Sequence, residues 1–270
     1  MNPAETTSEV TPIWTGRAQL GEGPLWSARL DQVFFVDING RRILSCGLGG
    51  EAAAEWTLDH RPCWLIETGE PDRFVVGLDH GIVTMRLTPG EPAEMLHRIT
   101  WPGAFPAGLR LNDAKADAGG RIYFGSMDDA EEAATGHFYA LAPDGTITHL
   151  DTGYTVANGP AVSPDGRTVY HTDSSARTIY AFDRSGDGTL AGKRVHIRFT
   201  EADGYPDGMT CDAEGGLWVC HWDGGRVTRF RPDGSRDRAI PLPVSRVTSC
   251  CFVGPALDRL VITTAAFERE

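Results

Sequence analysis

Residues 163–183 read SPDGRTVYHTDSSARTIYAFD. A Pro-Asp-Gly turn leads into a run of β-formers at 168–173, a polar turn, and a second run at 178–183; this is the pattern of a hairpin. The same unit recurs along the chain. It appears at 117–125 followed by 136–145, and at 212–220 followed by 226–230 and the turn at 231–234. Earlier copies pair 32–37 with 42–44 and 73–77 with 82–87, and a first half stands at 258–264. The anchors Phe34, Val75, Ile122, Val169, Leu217 and Val261 recur every 40 to 50 residues or so, the period of a β-propeller. With 32 Gly and 17 Pro, the chain favours tight turns over long helices, and the segment 128–135 reads as a loop. The sequence therefore predicts one domain over 1–270, an all-β six-bladed β-propeller with four-stranded antiparallel blades, and a flexible segment at 1–10.

Composition narrows the function. Lys and Arg number 25 against 37 Asp and Glu, a formal net charge of −12, with no basic patch to displace counterions from nucleic acid. The longest strongly apolar runs, such as 33–36, fall far short of the roughly 18 residues that cross a bilayer. The first residues, MNPAETTSEVTPIW, lack the basic-then-apolar order of a secretory signal. These features exclude nucleic acid and membrane as partners and predict a cytoplasmic protein, a monomer or weak homo-oligomer. Cys46, Cys63, Cys211, Cys220, Cys250 and Cys251 form no CxxC pair and are expected to be buried free thiols.

Four acceptor side chains sit inside Gly- or Pro-containing turns at a common phase. Glu22 precedes Phe34, Asn112 precedes Ile122, Asn158 precedes Val169 and Asp207 precedes Leu217, each by about 10 to 12 residues. Any one of these is an ordinary turn former. Equal phase in different blades, however, means equal radial position, so all four side chains should face one axis. Two carboxylates and one or two amide oxygens there make a hard-oxygen cation site, since Glu22 and Asp207 would otherwise repel.

Several longer segments carry a resemblance. They are LGEGPLW at 20–26, FFVDI at 34–38, RLNDAKAD at 110–117, GSMDD at 125–129, ANGPAVSPDGRTVYHTDS at 157–174, YPDGMTCDAEGGLWVCHWDGGRV at 205–227 and VTSCCFVGP at 247–255. With these, the chain from about Leu20 to Thr264 resembles the gluconolactonase, regucalcin (senescence marker protein) and luciferin-regenerating family. Its wording is similar to that of bacterial sugar lactonases such as xylonolactonase. The resemblance implies a six-bladed propeller with one catalytic divalent cation in its channel. It also implies Glu22, Asn158 and Asp207 as metal ligands, Arg110 and Asn112 as substrate-binding residues, and a sugar lactone as substrate. Some regucalcin-like relatives place a substrate-contacting carboxylate shortly after the methionine of a GTM-like segment; here Asp128, Asp129 and Ala130 follow Met127, and Asp129 is the candidate replacement. The family pattern also continues past the strand at Val261. The sixth blade is thus expected to lack an outer strand unless the segment near Thr11 to Arg17 supplies it.

The implied chemistry is hydrolysis of a cyclic ester such as xylono-, arabinono- or gluconolactone, with the cation polarising the carbonyl and Asp207 accepting the proton of water. An oxygen-only site admits Ca, Mg, Mn, Zn or Fe(II). No GxSxG, HExxH or Walker glycine loop offers another catalytic scheme. A non-catalytic cation-binding regulator or scaffold remains the alternative, although a scaffold has no need of the phased acceptors. An esterase acting on phosphotriesters or aryl esters would want a more apolar mouth than Arg110 and the acidic run at 128–132 provide. His171 and Trp14, Trp26, Trp56, Trp64, Trp101 and Trp218 read as packing residues more than as ligands, whereas His221 and Trp222, just after a blade strand, read equally as walls of the channel or as packing residues.

Overall fold

The computed structural model describes residues 4–5 and 10–266. The expectation of flexibility at 1–10 falls largely on residues outside these. Each hairpin expected from the sequence forms. The 163–183 stretch becomes the strands Thr168–Asp173 and Thr178–Arg184, paired antiparallel from Thr168 opposite Asp183 to Asp173 opposite Thr178. The Pro-Asp-Gly turn before them closes with Gly166 N–H donating to Ser163 O at 2.8 Å.

Five sheets are four-stranded antiparallel meanders, and their innermost strands are Gly21–Ser27, Pro62–Glu67, Leu109–Ala116, Ala157–Val162 and Tyr205–Cys211. The fifth also carries Ala4–Glu5, paired parallel to its outer strand Arg236–Pro241. The expected six four-stranded blades are not found. The sixth sheet has two strands, Val247–Val253 and Arg259–Thr264, so the propeller consists of five four-stranded blades and one two-stranded sheet. No strand forms over residues 11–17, and that segment does not complete the sixth sheet. After Thr264 only two further residues are described, too few for a second hairpin.

The innermost strands nevertheless touch in a closed ring, with Val247–Val253 lying between Tyr205–Cys211 and Gly21–Ser27. Polar bonds fasten the small sheet to the first: Thr248 Oγ1 donates to Gly21 O at 2.5 Å, and Ala266 N–H donates to Ala18 O at 3.2 Å. Packing between neighbouring sheets is apolar. Phe34 lies 4.8 Å from Phe74 between the first and second sheets, and Trp64 lies 5.9 Å from Phe124 between the second and third. Burying a phenylalanine this way stabilises by roughly 1.5–3 kcal/mol. Around the two-stranded sheet the core is smaller, made by Cys220, Val227, Val247 and Cys250 on one side and Val33, Cys251 and Val253 on the other. All six cysteines are free, and five are buried.

The histidines noted in the sequence are packing residues. His171 stacks on Phe138 at 3.8 Å and meets Tyr154 edge-on at 4.5 Å. His221 packs on Phe199, with its Nδ1 2.8 Å from Asp203 O.

Candidate functional site

Every innermost strand has a break in register near its N-terminal end. The breaks fall between Glu22 and Leu25, Pro62 and Trp64, Leu111 and Ala114, Asn158 and Pro160, Pro206 and Met209, and Val247 and Cys250. A bulge releases one or two residues from the ladder and re-aims them. Here it does so at the same level in six strands, which is the physical content of the shared phase. Glu22, Asn112, Asn158 and Asp207 all lie at these breaks, at one end of the ring. Close approach of the strands makes this possible. A Cβ on Gly208 would fall 2.2 Å from Ser249 Oγ, and Gly159 combines φ +30° with a Cβ position 3.0 Å from Asp207 O. Side chains are excluded from both positions.

The acceptors are buried: Glu22 is 7% exposed, Asn158 6% and Asp207 4%. Burial pushes the Glu22 carboxyl well above the usual carboxylate range, and repulsion from Asp207 and Asp113 pushes it further. Asp207 is raised in the same way by burial, then by Asp113 and Glu131, against the Gly208 N–H that favours its anion. Its Oδ1 is buried with no hydrogen-bond partner. Asp113, released by the same bulge as Asn112, is also raised by burial, with Lys115 and the N–H groups of Ala114 and Gly159 opposing.

Beside the carboxylates runs a chain of oriented amides. Arg110 Nη1 donates to Asn112 Oδ1 at 2.6 Å, and Asn112 Nδ2 donates to Asn158 Oδ1 at 2.7 Å and Ala157 O at 2.8 Å. Asn158 Nδ2 donates to Ser174 Oγ at 3.0 Å, which in turn donates to Pro206 O at 2.6 Å. This chain crosses from the third sheet to the fifth and fixes both amide orientations. Asp129 lies just past the strand Ile122–Asp128, in the loop at 129–135. Its carboxylate faces Arg110 Nε at 3.3 Å and is gripped by Arg61.

Among the described residues, no three His, Cys, Asp or Glu side chains form a metal-binding group by themselves. The oxygen set drawn from the sequence needs only two carboxylates, Glu22 and Asp207, with the Asn158 amide as third donor. The orphaned Asp207 Oδ1 and the mutual repulsion of buried acids fit a hard divalent cation. Two open cavities of about 680 and 460 Å3 lie at the other end of the fourth sheet, around Asp165 and Thr168, away from these residues.

Residues 20–266 match the SMP-30/Gluconolactonase/LRE-like region. The chain belongs to this family. Among SMP-30/gluconolactonase-like proteins it is similar to L-arabinolactonase of Azospirillum brasilense, 32% identical over 98% of this chain and 87% of that one. It is likewise similar to the pentonolactonase XacC of Haloferax volcanii, 31% identical over 95% and 85% of the two chains. A solved structure described as a calcium-binding protein, regucalcin, from Agrobacterium tumefaciens superposes with a TM-score of 0.87 at 25% identity, covering 94% of this chain and 85% of that one. No helix among the described residues is long and apolar enough to cross a membrane.

Asp113 and Arg61 were not among the residues singled out from the sequence, and Glu131 entered only as part of the acidic run at 128–132. Asp113 was legible in principle as the second residue of the Asn-Asp pair at a blade's acceptor position. Glu131 and Arg61 lie in loops, where no period indicates which way a side chain faces.

Proposed function

We propose that this protein hydrolyses a sugar lactone, an aldonolactone such as xylono-, arabinono- or gluconolactone, to the aldonic acid. One divalent cation would be held by Glu22, Asn158 and Asp207. The observation that carries this reading is the buried, unpartnered Asp207 Oδ1 among repelling carboxylates, beside the Arg110 and Asn112 side chains held in place by their mutual hydrogen bond. When bound, the cation supplies charge that polarises the lactone carbonyl and acidifies water. The protein's own groups do the rest. Arg110 donates to an oxygen of the lactone, Asn112 accepts from a lactone hydroxyl through Oδ1, and the Asn112–Asn158 bond keeps that amide in place as substrate enters. Asp207 takes a proton from the attacking water as its oxygen bonds to the carbonyl carbon. The acyl–oxygen bond of the ring then breaks, and the departing oxygen takes up a proton to complete the hydroxy acid. Asp129 reads a ring hydroxyl at the rim.

The test is to strip the protein with chelator, return Ca, Mg, Mn, Zn and Fe(II) singly, and follow acid release from the three lactones beside an aryl ester. Restoration of lactone hydrolysis by at least one cation is expected. A folded, metal-loaded protein that accelerates no lactone would overturn the proposal in favour of a non-catalytic cation-binding regulator or scaffold.

A further inference from the structure

Asp129 lies in the 129–135 loop that follows the strand Ile122–Asp128 of the third sheet. An aspartate in such a loop has no strand to orient it, yet Asp129 is held from two sides. Arg61 Nη1 donates to its Oδ1 at 2.9 Å and Nη2 to its Oδ2 at 2.8 Å, a two-pronged grip that fixes the plane of the carboxylate. Arg110 Nε stands 3.3 Å from the same Oδ1. Arg61 is itself anchored: its Nε lies 3.6 Å from Asp79 Oδ2, and its carbonyl accepts from Asp79 N–H at 2.9 Å. Backbone contact adds to this, with Asp129 N–H donating to Gly108 O at 2.9 Å.

A partly exposed ion pair of this kind contributes little to fold stability. Its consequence is geometric. The Asp129 side chain remains 40% exposed, so lone pairs not used by the arginines are open to solvent beside Arg110. Paired first with Arg61, the carboxyl is held below the usual carboxylate range and is acceptor-only. Such a group suits a donor hydroxyl and gives nothing to an unsubstituted ring.

We propose that Arg61 is a positioning residue that clamps Asp129 beside Arg110, so that Asp129 accepts a hydrogen bond from a hydroxyl of a polyhydroxylated lactone. This rests on the lactone-hydrolysis reading and assigns the selection of hydroxylated over plain lactones to Arg61 acting through Asp129. The experiment compares wild type, Arg61→Ala, Arg61→Lys, Asp129→Asn and the Arg61→Ala/Asp129→Asn double variant on xylonolactone. γ-Butyrolactone, measured as substrate or as competitive inhibitor, is the hydroxyl-free comparison. For Arg61→Ala, KM for xylonolactone should rise about tenfold, the scale of one hydrogen bond to a charged group, with kcat within about threefold and the melting midpoint unchanged. γ-Butyrolactone values should stay within about twofold, Arg61→Lys should recover part of the lost KM, and the double variant should be no worse than Asp129→Asn alone. Equal losses on both lactones, or additive losses in the double variant, overturn the positioning role. A wild type that turns over no sugar lactone with any cation overturns the lactonase reading and this proposal with it. Active wild type with an insensitive Arg61→Ala overturns the proposal alone.

Discussion

Gly208→Ala tests whether the site depends on close contact between the fifth blade and the two-stranded sheet. The added Cβ would lie 2.2 Å from Ser249 Oγ, 2.5 Å from its Cβ and 2.8 Å from its Cα. A hydroxyl could swing away, but the Cβ and Cα are tied to the backbone. The Val247–Val253 strand must therefore shift by roughly 1 Å to reach ordinary contact distance. Overpacking of this kind costs about 1–3 kcal/mol, and a backbone clash belongs near the upper value. At about 2–4 °C per kcal/mol for a chain approaching this size, the melting midpoint should fall by about 6–12 °C. Asp207 precedes Gly208 on Tyr205–Cys211, the strand pressed against Val247–Val253, so pushing the two strands apart displaces its carboxylate relative to the rest of the ring, and lactone turnover should drop more steeply than stability. Calorimetry and acid release measured on the same preparation separate the two effects. Adding Ser249→Gly removes two of the three clashes and should restore part of the midpoint. Wild-type melting and turnover in Gly208→Ala would refute the close approach on which the geometry depends.

Further outcomes follow from the same contacts. Asp207→Ala and Glu22→Gln should each reduce lactone hydrolysis by more than about 100-fold with the circular dichroism of the fold retained; wild-type turnover in either contradicts the site. His171 is held by burial at a pKa of about 3, against an ordinary 6.5, so between these pH values the unfolded chain binds a proton that the folded chain does not. Its contribution to stability is therefore present above about pH 6.5 and is lost on acidification by about 1.36 kcal/mol per pH unit. Urea unfolding of His171→Gln should show that much less acid sensitivity over the window, and an unchanged slope would refute the buried neutral ring. Arg229, buried and paired with the partly exposed Asp212 and Asp237 and the exposed Glu214, should cost about 1–3 kcal/mol when changed to Ala, read from the urea midpoint.

The hairpins were legible because each carries its own turn chemistry and a β-forming run, as at 163–183 and 212–230. Closure was not. Counting first-half units gives six, but the unit at 258–264 has no second hairpin described after it, and Ala4–Glu5 pairs with the fifth blade instead. A repeat count registers the presence of a unit and not its completeness. At the site, Glu22, Asn112, Asn158 and Asp207 could be read because bulges fall at the same phase in each innermost strand. Asp113 escaped since a period assigns one residue per blade, whereas the bulge after Leu111 releases two. Asp129 was found through its distance from Met127, but Arg61 lies in the loop before the strand Pro62–Glu67 of another sheet, and only tertiary structure brings their side chains together.

The central claim is that oxygens from three blades share one cation. The most direct measurement is anomalous diffraction from crystals grown with Mn(II). A single strong peak on the ring axis, within about 2.0–2.6 Å of oxygens from Glu22, Asn158 and Asp207, is the predicted result. A fully loaded protein whose peak lies elsewhere, with Asp207 Oδ1 still unpartnered, would contradict it.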